Sequence, residues 1–282
     1  MDSSITSITA LRGMLRQYRK EGKSIGLVPT MGFLHDGHIS LIRKAAQEND
    51  IVVVSIFVNP TQFGPQEDYA SYPRDILHDE AVAKDAGATI IFHPSVTEMY
   101  PDGFQTRVNV EKLTRGLCGR SRPGHFCGVT TVVTKLFNIV RPGRAYFGQK
   151  DAQQAIVVRR MVEDLNQDIQ IRVCPIVREK DGLAMSSRNV YLTAEERDQA
   201  LVLYRSLQRA VQLIEKGERS HATIYETIEK MIHEKEKANI DYIEIVDCWD
   251  LEAVDPLQGK VLIALAVRFG STRLIDNVVV DI

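Results

Sequence analysis

The short apolar runs in the first 180 or so residues constrain this chain most. SIGLVP, DIVVVSIFVN, ATIIFHP, RAYFGQ and IQIRVCPIV are of strand length. Helix-like runs stand between several of them: HISLIRKAAQEN, RDILHDEAVAKDAG, and GVTTVVTKLFNIV followed by DAQQAIVVRRMVEDLN. A strand such as IVVVSIFV has no polar face to offer water, so both of its faces must be covered. Strands of this kind separated by helices predict an α/β fold, a Rossmann-like doubly wound parallel sheet. Ligands in such folds sit beyond the carboxyl ends of the strands. That rule selects three loops, TMGFLHDGH, NPTQFG and GQKD, each of which follows a predicted strand.

The pattern changes near Arg178. REKDGLAMSSRNVYL is polar and contains glycine, so it reads as a loop. Thr193 with Glu196 three residues later forms a capping box for one long amphipathic helix over 194–218. A second helix is expected over 221–238, then three strands, IDYIEIVDC, KVLIALAVRFG and RLIDNVVVDI. Helices followed by strands suggest a smaller α+β domain. The expected division is 1–177 for the sheet domain and 178–282 for the C-terminal domain. At the other end, MDSSITSITALRGMLRQYRKEG lacks the apolar core of a signal peptide and reads as an amphipathic helix on Ile5, Ile8, Leu11 and Leu15.

Composition removes several classes of function. A net charge of -2 over 282 residues gives no positive field for nucleic acid or a membrane surface. The longest apolar runs reach strand length, well short of the roughly 18 residues of a membrane span. The four cysteines, Cys118, Cys127, Cys174 and Cys248, show no CxxC pair and no His/Cys cluster. Free buried thiols in a reducing cytoplasm fit better than disulfides or structural zinc.

Three loops carry chemistry. In TMGFLHDGH a strand gives way to a helix near Gly37 or His38, and a helix start favours an anion. Gly32 and Gly37 let backbone approach a ligand, and His35 and His38 offer ring nitrogens to a phosphate chain. A turn with two solvated histidines, or a metal pair lacking a third ligand, are the alternatives. In FGQKDAQQ, Lys150 stands where a cation reaches phosphate and Asp151 precedes a helix; a solvated lysine and a plain N-cap explain them equally. DGLAMSSRN offers Ser186, Ser187 and the Arg188 guanidinium, against the alternative of a linker rich in turn residues. Asn59 and Gln62 follow a strand in FVNPTQFG, and buried amides read hydroxyl and carboxylate groups. Arg122 and His125 precede a helix in RPGHFCGVTTVV, and an ion pair with a carboxylate is the ordinary explanation for Arg122.

TMGFLHDGH resembles the HIGH-type signature of nucleotidyltransferases and class I aminoacyl-tRNA synthetases, and MSSRN resembles its phosphate-closing partner. The ordered series PTMGFLHDGH, FVNPTQFG, YPRD, RPGHFCGV, KLFNIVRP, FGQKDAQQ and VREKDGLAMSSRNVYL is similar to one family, the pantoate–β-alanine ligases (pantothenate synthetases). The match is dense from about Gly26 to Leu192. The resemblance implies that pantoate attacks the α-phosphorus of ATP, and that β-alanine then attacks the resulting pantoyl adenylate. It places ATP against Met31, Gly32, Phe33, Leu34, His35, Asp36, Gly37 and His38. Further ATP contacts fall on Gly148, Gln149, Lys150, Asp151, Val177, Met185, Ser186, Ser187 and Arg188. His38, His35, Lys150 and Arg188 take the catalytic roles, as hydrogen-bond donors and cations around the phosphates. Gln62 and Gln154 take pantoate, with Gln62 also near β-alanine; Asn59, Arg122 and His125 join them as substrate residues. Mg2+ is implied on the phosphate oxygens, with no protein ligand assigned. A homodimer and a movable cover made by 178–190 and the second domain are implied as well.

Two rivals share parts of this pattern. A related nucleotidyltransferase would leave the nucleotide joined to its product, and the paired glutamines argue against it. A nucleotide-binding regulator without turnover would not need His38, Lys150 and Arg188 intact.

Overall fold

The structure, a computed structural model, describes residues 4–65 and 67–282. Its elements in chain order begin with β1 (Ser4–Ile5), α1 (Ile8–Lys20), β2 (Ile25–Thr30), α2 (Asp36–Glu48), β3 (Ile51–Ile56), α3 (Ile76–Asp85), β4 (Ile90–Phe92) and α4 (Val96–Met99). Then come α5 (Leu117–Ser121), α6 (His125–Val140), β5 (Arg144–Gly148), α7 (Ala152–Asp164) and β6 (Gln170–Cys174). The chain ends with α8 (Ala194–Ala200), α9 (Val202–Glu215), α10 (His221–His233), β7 (Ala238–Asp247), β8 (Lys260–Phe269) and β9 (Thr272–Asp281). Two compact units result. The first holds the chain up to Glu111 with Arg122–Gly148 and Val157–Pro175; the second holds Lys112–Ser121, Gln149–Ile156 and Ile176–Ile282.

In the first unit six strands pair in the order β1-β4-β3-β2-β5-β6, every pair parallel. The chain builds outward from β2 through β3 to β4, then returns to the far side of β2 for β5 and β6. The strand order therefore reverses between β2 and β5, the doubly wound arrangement that the apolar runs predict. Every residue of β3 is buried. Val52, Val54 and Ile56 share a core with Leu41, Ile42 and Ala45 of α2 and Ala83 of α3. Val53 alternates to the opposite face and is fully buried as well. Each such Val or Ile contributes about 1.5–3 kcal/mol by leaving water.

The opening of the chain differs from expectation. Ser4 and Ile5 pair in parallel with Ile91 and Phe92, and the helix starts only at Ile8. Residues 1–3 of the expected helix lie outside the described residues. Ile5 is buried, but in the sheet, where a short β-branched stretch serves as an edge strand.

The second unit carries the antiparallel sheet β7-β8-β9. β8 is buried from Val261 to Val267, and α9 and α10 cover the sheet with Leu203, Leu207, Ile224, Ile228 and Ile232. The capping box at Thr193 forms: its hydroxyl accepts the Glu196 N–H at 3.2 Å and Glu196 accepts the Thr193 N–H at 2.9 Å. The single long helix expected after it is two helices. At Leu201 the backbone bond shifts to an i−3 partner, Asp198, which tightens the turn between α8 and α9.

The segments Lys112–Ser121 and Gln149–Ile156 join this unit through side chains that satisfy backbone groups. Gln153 accepts the Cys118 N–H at 2.9 Å and donates to the carbonyls of Leu113 and Gly116. Arg120 pairs with Glu244 at 2.9 Å. Among the described residues the four cysteines form no disulfide, and Cys118 and Cys174 are buried. Among the described residues no helix is long and apolar enough to cross a membrane.

Candidate active site

The loop after β2 is built from a reversed backbone. Gly32 has φ 87° and Phe33 φ 51°. The left-handed conformation costs a non-glycine residue roughly 1–2 kcal/mol, so something must hold Phe33 there. Thr30 Oγ1 accepts the Gly32 N–H at 3.2 Å. The carboxylate of Asp79 on α3 accepts the next two, from Phe33 at 2.8 Å and Leu34 at 2.7 Å. His35 then caps α2: its Nδ1 accepts the Gly37 N–H at 3.1 Å, and His38 Nδ1 accepts the His35 N–H at 3.4 Å. An Nδ1 that accepts carries no proton. Each neutral ring therefore holds its proton on Nε2, and the rings lie with centroids 4.1 Å apart. The helix starts at Asp36, one residue ahead of the sequence estimate. The N–H groups of residues 32–35 and Gly37 are engaged inside the protein, so the histidine Nε2 atoms, rather than these amides, are the donors suited to an anion.

The second part of the first unit centres on Gln62, in a 3-10 turn spanning Pro60–Gln62. Asn59 is 1% exposed. Its amide donates to Gln62 Oε1 at 3.1 Å and to the Gly128 carbonyl at 3.2 Å, and its oxygen accepts from Thr61 and the Tyr100 hydroxyl. Asn59 thus serves Gln62 and α6. Gln62 Nε2 meets the Met31 sulfur at 3.1 Å, a weak acceptor that a carboxylate or hydroxyl outcompetes.

Arg122 and His125 face the same turn from behind. Arg122 forms a two-pronged pair with Glu67, at 2.7 and 2.6 Å, and donates to the Gln62 carbonyl at 3.3 Å. Burial alone would push the Glu67 carboxyl up, but the Arg122 guanidinium outweighs it and holds the carboxyl below its ordinary range. Arg122 Nη1 lies 3.1 Å from His125 Nε2, and a guanidinium only donates. The His125 proton therefore sits on Nδ1, which donates to the Gln62 carbonyl at 2.8 Å. The ion pair that explains Arg122 most simply is present, and both residues brace the main chain of Gln62.

Gly128 makes this brace fit. A Cβ there would stand 2.3 Å from the Thr61 carbonyl oxygen and 2.7 Å from the Gln62 Cα, both backbone atoms. Gly128→Ala is expected to destabilise the protein by about 1–3 kcal/mol through overpacking, read as a lower urea midpoint. An unchanged midpoint would contradict the contact.

The second unit gathers the remaining motif residues. Gly148 ends β5 in the first unit, and Gln149–Asp151 continue from it as a 3-10 turn. Asn277 of β9 donates to the carbonyls of Gln149 and Lys150 at 2.9 and 3.0 Å. The Lys150 ammonium stands 4.0 Å from Asp151. Gln154 is half-buried on α7, whereas its neighbour Gln153 is 5% exposed and occupied with backbone. Next to Asn277, Asp276 takes Arg178 in two bonds of 2.6 and 2.9 Å. Arg178 also caps the Gly182 carbonyl, and Val177 accepts the Met185 N–H at 3.0 Å. Ser186 caps the 3-10 turn Ser187–Tyr191 through the Arg188 N–H. Asn189 and Arg197 hold Glu179. The 178–190 loop is thereby fastened into the body of its own unit.

Motif spacing misses Asp79, Glu67, Gln153, Asp276 and Asn277, and three of these leave a signal. Asp79 lies three residues after Ile76 and four before Ala83, a charge placed at helical spacing in line with apolar residues. Asp276-Asn277 separates the apolar pair Leu274-Ile275 from Val278–Val280 within one strand. Among the described residues no group of three or more His, Cys, Asp or Glu could hold a metal ion.

Comparison with known proteins covers the whole of this architecture. The family model described as pantoate-beta-alanine ligase matches residues 3–279. A pantothenate synthetase of Acetivibrio thermocellus is 58% identical over 278 residues, 99% of each chain, and one of Thermotoga petrophila is 58% identical over 275 residues, 98% of each. The crystal structure of pantothenate synthetase from Thermus thermophilus superposes with a TM-score of 0.93 at 46% identity, covering 98% of both chains. A pantoate-beta-alanine ligase of Francisella tularensis, complexed with beta-gamma ATP and β-alanine, gives 0.79 at 36% identity over 98% of this chain and 96% of that one. With the family model running through both units and relatives above half identity along nearly their full length, the chain belongs to the pantoate-beta-alanine ligase family.

Proposed function

We propose that this chain joins pantoate to β-alanine in an ATP-dependent reaction through pantoyl adenylate. The observation that carries the mechanism is the paired orientation of His35 and His38, each presenting a protonated Nε2 from the start of α2. A pantoate carboxylate oxygen forms a bond to the α-phosphorus while the bond to pyrophosphate breaks. The β-alanine amine then bonds to the acyl carbon, its proton passes to solvent, and AMP departs. His38 and His35 donate to phosphate oxygens, where positioning and charge matter more than covalent help. Lys150 and Arg188 offset the charge that builds on the phosphates.

Met31–His38, Gly148–Asp151, Val177 and Met185–Arg188 are assigned to ATP; the Phe33 and Leu34 contacts do not use their N–H groups, which Asp79 holds. Gln62 and Gln154 are assigned to pantoate, with Asn59, Arg122 and His125 keeping Gln62 in place. Mg2+ is taken to arrive with the nucleotide and would supply positive charge to its phosphates; no protein ligand is assigned to it, since no group of three or more His, Cys, Asp or Glu among the described residues could hold an ion. The reading takes the protein as a cytoplasmic homodimer.

The test is incubation with ATP, Mg2+, pantoate and β-alanine, following AMP and pantothenate. AMP formed only with both substrates supports the ligase. Nucleotide retained in a stable product, or binding without turnover, would replace it with one of the two rivals. Gln62→Ala is expected to weaken pantoate binding far more than ATP binding, because its amide meets the weakly accepting Met31 thioether, which a carboxylate or hydroxyl of substrate outcompetes. Titrations in the reverse order would refute that assignment.

A further inference from the structure

Asp79 is the one charged side chain that α3 turns inward, and it is 1% exposed. Its two oxygens receive the consecutive Phe33 and Leu34 N–H groups at 2.8 and 2.7 Å. A Cβ on Gly32 would stand 2.8 Å from the same carboxylate and 3.0 Å from Ile56, so the loop is pressed onto it without clearance. A leucine at 79 would satisfy the packing of α3 and leave two adjacent backbone donors unmatched. Burying a carboxylate is unfavourable unless hydrogen bonds compensate it. Burial pushes the Asp79 carboxyl up, and the Leu34 and Phe33 amides act against that push.

The next residue along is His35, whose ring caps α2 and whose N–H holds His38. The orientation of both imidazoles therefore follows from a backbone path that Asp79 sets 46 residues away. We propose that Asp79 is a positioning residue: it fixes the reversed Gly32–Leu34 backbone and thereby aims the Nε2 atoms of His35 and His38 at the nucleotide phosphates. This rests on the assignment of ATP to the loop. Both carboxylate oxygens are spent on backbone amides, so Asp79 acts through the loop. It occupies two amides that a phosphate would otherwise take, leaving the imidazoles as the donors.

The test pairs a variant with a measurement on the parent protein. In Asp79→Asn the side-chain NH2 faces one of the two N–H groups, so one bond is lost and two donors oppose each other. The Michaelis constant for ATP is expected to rise about 10-fold or more, the scale of losing a bond to a charged group, while that for pantoate stays within about 2-fold because Gln62 has its own brace. A rise of equal size for both substrates would indicate general loosening and overturn the proposal, as would an unchanged ATP constant. Amide exchange on the unsubstituted protein decides the matter should the variant not fold. The Phe33 and Leu34 amides are expected to be protected without ATP and to stay so with it. Rapid exchange without ATP, or new chemical shifts at these two amides on ATP binding at His35 and His38, would show that they serve the nucleotide instead of Asp79. If ATP perturbs neither histidine of the unsubstituted protein, the ATP assignment itself fails, and the proposal with it.

Discussion

His38→Ala should lower the rate of adenylate formation by about 100-fold or more in single-turnover measurements with ATP and pantoate, the scale for losing one preorganised transition-state donor. The substitution removes two things at once. One is the Nε2–H that the proposed mechanism directs at the phosphates. The other is the Nδ1 that accepts the His35 N–H at 3.4 Å and so steadies the neighbouring ring. ATP binding should suffer less than turnover, because the charge met in the transition state is larger than in the bound nucleotide. Adenylation within a few-fold of the unsubstituted protein would remove His38 from the mechanism.

Asp276→Ala is expected to destabilise the second unit by about 3–5 kcal/mol, the scale for leaving one half of a buried pair alone. Asp276 is 2% exposed and takes both prongs of Arg178, as well as the Asn277 N–H at 2.7 Å. Without it the Arg178 guanidinium keeps only the Gly182 carbonyl and the face of Tyr204, 4.5 Å from the ring centroid. Urea unfolding followed by a probe in the second unit should show a lower midpoint with an unchanged slope. The loop bearing Ser186, Ser187 and Arg188 begins at Arg178, so ATP turnover should fall further than the folded fraction. A midpoint within experimental error of the unsubstituted protein would show that the pair adds nothing.

The two substitutions sample different kinds of legibility. His38 is visible in the sequence as part of an HxxH beside Gly32 and Gly37 at a strand-to-helix junction, a pattern that a turn with two solvated histidines shares until the resemblance to the family is added. Asp276 is not, because an acidic residue in a strand looks like a solvated one until its neighbours are known. The same ambiguity runs through the substrate motifs. NPTQFG and RPGHFCGV are recognisable as blocks, yet within them Gln62 has the weakly satisfied amide, while Asn59, Arg122 and His125 spend their hydrogen bonds on the scaffold. In DAQQ the first glutamine is the structural one and the second is half-buried. Even the long helix after Thr193 reads as continuous, because its amphipathic stripe runs on through the change of backbone bonding at Leu201.

By itself the sequence determined whatever depends on local patterning: apolar runs that demand a sheet covered on both faces, helices between them, a capping box at Thr193, and polar loops at strand ends. Only the tertiary structure decided which polar side chains in those loops face inward. Those choices are made by partners far along the chain, such as Asp79 to Phe33 across 46 residues and Asn277 to Gln149 across 128. Spacing within a motif carries no record of such partners, because a buried hydrogen bond is chosen by what folding brings within about 3 Å.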